Sequence, residues 1–309
     1  MANAALSAAG LDPTAIPNAT PRPSSPTQPT PLLETFQHPA PFHTSLSTLP
    51  NLRPSSFHGL LSSHLEYTHF IPLLSTYNLL LVDLPGHSNS FSTSTPPRPE
   101  SYSIASIADA VAGVIRTHAK GGKAHIVGLS MGGFVGLELA RRYPELCSSA
   151  WVTGSAPFEG WAAWLAARPG WIEGFIWVME VLPDGVYNWL AGWQGLKPHG
   201  ELREEMRRNR RWEVIYGVYR SILAGARWEE VKGIEGVRVL TVAGGKQDDV
   251  EATRKMGRVW TEMGREGCKA AVVRGAVHSC DLQMPEVFAE GVRAWVEGRE
   301  LPREFEVLE

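Results

Sequence analysis

The sequence predicts an α/β fold, a doubly wound and mostly parallel sheet that carries a helical cap. Short apolar runs alternate with segments of helical periodicity on both sides of the middle of the chain. Strands that alternate with crossover helices pair in parallel, so this alternation predicts the sheet. A glycine-rich turn joins one apolar run to a helix, and a tryptophan-rich section interrupts the alternation.

Each element is predicted from its own pattern. The strands are continuous apolar runs, which are typical of strands buried on both faces of a sheet. The helices show apolar residues on one face, as at Ile104, Ile107, Val111 and Ile115. In chain order we predict a strand at Asn78–Asp83, a helix at Ser103–His118, a strand at Ala124–Val127, a helix at Gly133–Tyr143, strands at Ser149–Thr153 and Val237–Val242, a helix at Val250–Met263, a strand at Lys269–Val273 and a helix at Met284–Val296.

Composition divides the chain into three parts. Residues 1–31 are rich in Pro, Ser, Thr and Ala, and we predict that they are disordered, because they cannot bury enough apolar surface to offset their ordering entropy. Residues 32–155 and 231–309 are predicted to form the α/β core, and residues 156–230 the helical cap.

Most of the tryptophans lie in the predicted cap. We expect the majority to form its own core and a minority to line a pocket beneath it. A charged run at 203–211 mixes both signs and is interpreted as a solvated helix face. The tryptophans concerned are Trp161, Trp164, Trp171, Trp177, Trp189, Trp193, Trp212 and Trp228.

Charge and cysteine content exclude several classes of protein. The formal net charge of −3 offers no basic surface for nucleic acid or an anionic membrane. Cys147, Cys268 and Cys280 are too few and too scattered for a disulfide framework or a zinc site. The sequence shows neither a signal peptide nor an apolar stretch long enough to span a membrane, so we expect a cytoplasmic protein.

The most informative stretch is the G-x-S-x-G sequence at Gly128–Gly132. It follows the predicted strand at Ala124–Val127 and opens the predicted helix at Gly133–Tyr143, which ends before Pro144. A serine on such a sharp turn has a strained backbone and a hydroxyl held clear of the sheet. The pattern therefore predicts that Ser130 is a nucleophile.

A serine nucleophile needs a histidine base, which in turn needs a carboxylate to orient it. His278 follows the last predicted strand of the parallel sheet, at the edge where Ser130 also emerges. Asp248 and Asp249 follow the strand that ends at Val242, and either could reach the histidine. The order serine, aspartate, histidine is that of a nucleophile-elbow enzyme.

The oxyanion of an acyl-transfer intermediate needs preorganised N–H donors. One predicted donor is the backbone N–H of Met131, directly after the nucleophile. The second is the N–H of Leu60 in the segment Phe57–Leu61, and His58 in this segment is interpreted as structural.

Several of these motifs together resemble the α/β-hydrolase superfamily, in the branch with a helical cap after the sixth strand. The resemblance covers about Leu52 to Gly298 and implies an α/β-hydrolase fold with a Ser-His-Asp triad. The matching stretches are His58-Gly59, the turn Asp83–Ser90, the elbow Gly128–Gly133, and His278 followed by Pro285–Phe288.

The resemblance also distinguishes the two candidate acids. In the family, the acid usually lies three residues after a glycine, and Gly245 stands three residues before Asp248. The resemblance thus favours Asp248 over Asp249 as the partner of His278.

One segment departs from the family pattern. The strand before His58 is normally a run of branched apolar residues, whereas this chain reads Arg53-Pro54-Ser55-Ser56-Phe57. Pro54 removes a ladder donor, so we predict a shortened or distorted strand here. No clear hairpin pattern precedes it between residues 34 and 49.

The function that follows is a serine hydrolase acting on a carboxylic ester, or a related acyl bond, of a small apolar substrate. It would need no cofactor and no metal. The alternatives are a C–C bond hydrolase or thioesterase on the same fold, and a hydrolase homologue that binds a small molecule without catalysis. The motifs do not specify the substrate or the oligomeric state.

Overall fold

The computed structural model of the protein describes residues 33–38, 42–47, 54–90, 98–225, 227–265 and 267–309. The segment 1–31, predicted to be disordered, lies outside the described residues.

The described strands form one sheet of nine, in the order β1-β2-β4-β3-β5-β6-β7-β8-β9. The strands from β4 to β8 are parallel, and β1, β2 and β9 are antiparallel to their neighbours. The mostly parallel sheet that the sequence predicts is confirmed. The strands are β1 (Leu33–His38), β2 (Phe42–Ser47), β3 (Pro54–Phe57), β4 (Leu80–Val82), β5 (Ala124–Leu129), β6 (Cys147–Thr153), β7 (Val239–Gly244), β8 (Lys269–Val273) and β9 (Phe305–Leu308).

Helices connect these strands and cover both faces of the sheet. Within the part of the chain that the structure describes, no helix is both long enough and apolar enough to cross a membrane. The helices are α1 (Ile104–His118), α2 (Met131–Arg142), α3 (Gly160–Ala166), α4 (Pro169–Val181), α5 (Asp184–Trp193), α6 (Gly200–Asn209), α7 (Trp212–Gly225), α8 (Trp228–Lys232), α9 (Val250–Glu262), α10 (Cys280–Gln283) and α11 (Pro285–Glu297).

Two apolar clusters form the main core. One packs α1, α2, α7 and α9 against one face of the sheet, with Ile107, Val135 and Trp260 fully buried. The other packs α11 against the opposite face, where the ring of Phe288 meets that of Trp151 edge-on. Helices therefore lie on both faces, as a doubly wound sheet requires.

Strand β3 is short, as predicted, yet it lies in the interior of the sheet. Its four residues are all buried, and they pair in parallel with β4 on one side and β5 on the other. Pro54 is its first residue, a position where proline is tolerated. The hydroxyls of Ser55 and Ser56 have no hydrogen-bond partner among the described residues. The hairpin of β1 and β2 was not identified from sequence, because its two strands lack a clean apolar alternation.

Helices α3 to α8 lie between β6 and β7. Helix α7 carries the main buried face, with Val214, Ile215, Val218 and Ile222, whereas neither α4 nor α5 has a buried residue. The prediction that most cap tryptophans form the cap's core is therefore wrong. Because α7 carries the main buried face, the outer helices have no second layer against which their tryptophans could pack. Exposed indoles are those of Trp161, Trp164, Trp171, Trp177, Trp189, Trp193 and Trp212.

The charged run at 203–211 is not simply a solvated face. Arg203 is buried, donates to the carbonyl of Leu182 at 2.7 Å and stacks over the ring of Tyr187. Asn209 is 1% exposed. The interpretation of this run as solvent-facing is wrong at these two positions, because α6 packs them inward.

Candidate active site

Ser130 lies on the turn between β5 and α2 with φ 52° and ψ −117°. A non-glycine residue rarely adopts this conformation, which stores about 1–3 kcal/mol of strain. The turn is held on both sides of the serine. Its N–H donates to the carbonyl of Thr153 at 2.8 Å, and its carbonyl accepts from Ser155 Oγ at 2.9 Å. The strained turn predicted from the G-x-S-x-G pattern is thus present.

The end of β3 passes very close to the start of α2. A Cβ added at Gly132 would lie 2.1 Å from the carbonyl oxygen of Phe57 and 2.8 Å from that of His58. Only glycine allows this approach, which brings the loop after β3 beside the residue that follows Ser130. We call residues 58–62 the His58–Ser62 loop.

Asp248 and His278 meet at the carboxyl ends of β7 and β8. Asp248 Oδ1 lies 2.5 Å from His278 Nδ1, and Asp248 Oδ2 accepts from the N–H of Gly244 at 2.7 Å. Asp249 instead caps α9, where its side chain accepts from the N–H of Ala252 at 2.9 Å. Of the two aspartates, Asp248 is the one in contact with the histidine.

The environment of His278 favours its charged form. Burial alone would lower the pKa of His278, but the hydrogen bond and charge of Asp248, together with the charge of Glu66, raise it above the ordinary value. The imidazole packs over Gly154, where an added Cβ would lie 2.5 Å from His278 Cε1. Gly154 directly follows Thr153, the residue that accepts from the N–H of Ser130.

The Ser130 hydroxyl and the His278 imidazole do not form a hydrogen bond among the described contacts. Both groups nevertheless border the ends of the adjacent strands β5 and β6, one at the Ser130 turn and the other over Gly154. Catalytic hydrogen bonds are often long or misaligned in a protein without substrate, so this geometry is compatible with a base that engages the serine when substrate is bound.

The two N–H groups predicted to bind an oxyanion, those of Leu60 and Met131, donate to no group in the described part of the chain. Met131 is the first residue of α2, so its N–H belongs to the positive end of that helix. The carbonyl of Gly59, on the same peptide as the Leu60 N–H, accepts from the N–H of Ser62 at 3.2 Å and from His58 Nδ1 at 2.8 Å. The direction of the Leu60 N–H is therefore fixed by a planar peptide bond.

Two buried neutral histidines support this loop. His58 Nε2 accepts from the N–H of Leu84 at 2.9 Å, which agrees with its interpretation as structural. His87 Nε2 accepts from the N–H of Leu61 at 3.0 Å, and burial lowers the pKa of His87 to about 3. Leu61 itself has φ 66°, a left-handed conformation that costs a non-glycine residue about 1–2 kcal/mol.

Asn209 of α6 fastens the same loop from the side of the helical insert. Its Nδ2 donates to the carbonyl of Leu61 at 2.9 Å and to that of Ser62 at 3.0 Å. Its Oδ1 accepts from the N–H of Ser88 at 2.7 Å. Sequence reasoning missed this residue, because an asparagine within a run of charges gives no signal of a contact with a loop so distant in sequence.

Glutamines tie the insert to the loops that carry Asp248 and His278. Gln247 Oε1 accepts from the N–H of His278 at 3.0 Å, and Gln247 Nε2 donates to Gln194 Oε1 at 2.8 Å. Gln283 Nε2 donates to the carbonyl of Gln194 at 3.1 Å. Only the position of Gln247 beside Asp248 could have suggested this link from sequence.

A cavity of about 220 Å³ adjoins the His58–Ser62 loop at Leu61. Its other walls come from α4, α5 and α6, and they are partly charged, at Glu180, Arg203 and Arg207, and partly apolar, at Phe175, Ile176, Met179, Tyr187 and Met206. Another cavity, of about 330 Å³, lies along α2 at Phe134 and Leu137, and neither cavity is lined by Ser130, Asp248 or His278. Among the described residues, no group of three or more His, Cys, Asp and Glu side chains is arranged to hold a metal ion.

A family model and a protein of similar length match more than half of this chain. A family model described as alpha/beta hydrolase fold matches residues 57–228. An AB hydrolase superfamily protein of Gibberella zeae is 28% identical over 255 residues, which cover 81% of this chain and 82% of that protein.

Solved structures show the same fold at low sequence identity. A mutant of the N-acyl homoserine lactonase AidH complexed with N-hexanoyl homoserine matches with a TM-score of 0.65 and 18% identity, covering 89% of this chain and 99% of that one. A thermophilic esterase from Thermogutta terrifontis matches with a TM-score of 0.59 and 18% identity, covering 86% of this chain and 97% of that one.

Proposed function

Because the chain belongs to the α/β hydrolase family, we propose that it is a serine hydrolase that cleaves carboxylic esters of small apolar substrates. The observation that carries the proposal is the contact of 2.5 Å between Asp248 and His278 at the edge where the strained Ser130 turn emerges. The named activities of two structural relatives, a lactonase and an esterase, agree with this class of reaction.

In the proposed mechanism, His278 accepts the proton of Ser130 as its Oγ attacks the ester carbonyl. Asp248 holds the imidazole in the required tautomer and stabilises the imidazolium that forms. The N–H groups of Leu60 and Met131 bind the oxyanion, and the protonated imidazole then donates to the departing alcohol. A water molecule deprotonated by His278 attacks the acyl-enzyme, and the acid leaves with Ser130 regenerated.

We propose that an apolar substrate places its acyl chain in the cavity beside Leu61, against the apolar side chains of α4, α5 and α6. Each methylene buried there stabilises binding by about 0.8 kcal/mol. The cavity of about 220 Å³ is small, so we expect a short or medium chain to be preferred over a long one.

Labelling with a fluorophosphonate probe and hydrolysis of p-nitrophenyl esters of increasing chain length test the proposal. We expect the probe to modify Ser130, as mapped by peptide mass spectrometry, and kcat/KM to pass through a maximum along the series. Ser130→Ala should abolish both, whereas Ser148→Ala, at an exposed position on β6, should leave both unchanged. A wild-type protein that neither reacts with the probe nor hydrolyses any ester would refute the proposal.

The same experiments distinguish the alternatives predicted from sequence. A thioesterase or C–C hydrolase would still be labelled at Ser130 but would turn over thioesters or diketones in preference to esters. A binding protein would remain unlabelled, and its Ser130→Ala variant would retain ligand affinity.

A further inference from the structure

A buried carboxylate lies directly behind the His58–Ser62 loop. Glu66 follows this loop on a short 3-10 helix, His64–Tyr67, and is 5% exposed. Its Oε2 accepts from the N–H of Gly59 at 2.8 Å. A Cβ added at Gly59 would lie 3.8 Å from Glu66 Oε1 and 3.8 Å from the Cβ of Ser130, so the loop separates this carboxylate from the predicted nucleophile by little more than one residue.

The Glu66 hydrogen bond completes the fixation of Gly59. The residue's N–H is held by Glu66, and its carbonyl is held by Ser62 and His58. With both flanking peptides restrained, the next N–H along the chain, that of Leu60, has a set direction. A charged acceptor makes such a bond roughly twice as strong as a neutral one.

A second buried carboxyl lies next to Glu66. Asp281 of α10 is 1% exposed, and neither of its oxygens has a hydrogen-bond partner in the described ranges. Helix α10 packs against the 3-10 helix of Glu66. Burial and both carboxyls raise the pKa of the Tyr67 hydroxyl. This hydroxyl likewise has no hydrogen-bond partner among the described residues.

Two buried carboxyls whose charges act on each other cannot both ionise without an electrostatic cost, so one of them stays protonated. Glu66 accepts from the Gly59 N–H at 2.8 Å and faces the positive charge of His278, whereas His278 is not among the charges that act on Asp281. Burial raises the pKa of Asp281 well above its usual range, with Glu66 adding to the effect. The proton therefore resides on Asp281, and Glu66 carries the charge.

We propose that Glu66 is a positioning residue of the active site: its carboxylate fixes the Gly59 peptide behind the oxyanion donors and stabilises His278 as an imidazolium, while its neighbour Asp281 remains neutral. The inference rests on the proposed function for the roles of Leu60 and His278. Glu66 lies outside the sequence motifs that predict the triad, and in this proposal it does not contact the substrate.

The charge of Glu66 sets the pH at which acid suppresses catalysis. The groups that face Glu66 are the Gly59 N–H, the Ser62 hydroxyl, Tyr67, Asp281 and His278. Burial raises the pKa of Glu66 to about 7, against the lowering effects of the Gly59 N–H, Ser62 and His278. Because the Glu66 carboxylate and the His278 imidazolium stabilise each other, His278 takes up the first proton while Glu66 keeps its charge, and this charge moves the acid limb of the reaction to higher pH.

The test compares Glu66→Gln with Asp281→Asn, two exchanges of an acid for its amide. In the wild type, log(kcat/KM) for p-nitrophenyl butyrate should rise with a slope of about one on the acid side of its profile, where His278 loses its proton. Glu66→Gln should move this acid limb to lower pH and lower kcat about tenfold at the plateau, with KM nearly unchanged. Asp281→Asn should keep the acid limb and kcat of the wild type, because the amide resembles the protonated acid.

A second measurement does not depend on turnover. Imidazole NMR titration should show a lower pKa of His278 in Glu66→Gln than in the wild type, and an unchanged one in Asp281→Asn. If the wild type proves inactive, the proposed function fails while this titration still decides the role of Glu66. Wild-type behaviour of Glu66→Gln in either measurement would overturn the inference, and so would an Asp281→Asn variant that alone moved the acid limb.

Discussion

Replacing Asn209 with alanine should loosen the predicted oxyanion loop from the side of the helical insert. Asn209 makes three hydrogen bonds of 2.7–3.0 Å to the backbones of Leu61, Ser62 and Ser88 while 1% exposed. Each buried hydrogen bond contributes about 0.5–1.5 kcal/mol, so three contribute about 2–4 kcal/mol.

Relaxation of the loop offsets part of this loss of stability. Leu61 has φ 66°, and its relaxation to an ordinary conformation returns about 1–2 kcal/mol. We therefore expect Asn209→Ala to lower the free energy of unfolding by about 2 kcal/mol. The same relaxation removes the set direction of the Leu60 N–H, and the loss of one oxyanion donor costs about 10²-fold in kcat.

Urea denaturation and steady-state ester hydrolysis measure the two effects. Arg208→Ala is the matched control on the same helix, since the Arg208 side chain is 63% exposed and its removal should change the free energy of unfolding by less than about 0.5 kcal/mol. The reasoning is refuted if Asn209→Ala matches Arg208→Ala in stability. It is also refuted if Asn209→Ala loses stability but retains the wild-type kcat, because the loop geometry would then be independent of the bond.

The remaining predictions concern the two strand ends that carry Asp248 and His278. Asp248→Asn should lower kcat about 10⁴-fold. Asp249→Ala should lower the free energy of unfolding by about 1 kcal/mol, because the cap of α9 is lost, and should leave kcat within about twofold. Rate assays and urea melts of both variants test this assignment, and the opposite pattern would show that Asp249 is the partner of His278. Gly154→Ala should lower kcat/KM about 100-fold, because the added Cβ would displace the His278 imidazole from a position 2.5 Å away, and unchanged kinetics would contradict the placement of that ring. Burial keeps the proton on Asp281 in the folded protein at pH values where the unfolded chain has released it, so the contribution of this group to wild-type stability falls as the pH rises above about 4. The stability of Asp281→Asn relative to the wild type should therefore increase between about pH 5 and pH 7, and parallel urea melts in which the difference stays constant would contradict a protonated Asp281.

The sequence was informative where a candidate site residue lies shortly after a strand. Ser130 directly follows one recognisable strand and His278 lies in the loop after another, so the sheet order alone places them at one edge. Asp248 and Asp249 follow the same strand, and sequence spacing could not separate them without the resemblance to a family. Their difference is one of side-chain direction, since Asp249 turns back to cap α9.

The residues that were missed act across large sequence separations. Asn209 contacts a loop 148 positions earlier, and Asp281 matters through a neighbour on a different element. The short strand β3 is equally a product of its neighbours, because pairing on both sides holds a segment whose own composition argues against a strand. The exposed tryptophans show that composition alone does not predict burial. Composition indicates how many apolar residues a segment has, but not how many layers of helices are available to bury them.

The wide separation of Ser130 from its predicted partners has a kinetic consequence. Asp248 and His278 are 30 residues apart, and the whole helical insert lies between Ser130 and Asp248. Contacts of such long range close slowly, since the entropy of ordering the intervening chain is lost before they form. Reactivity of Ser130 toward a fluorophosphonate would therefore appear late in refolding, after the far-ultraviolet circular dichroism of the helices has recovered, and would report the docking of β7 and β8 onto the rest of the sheet.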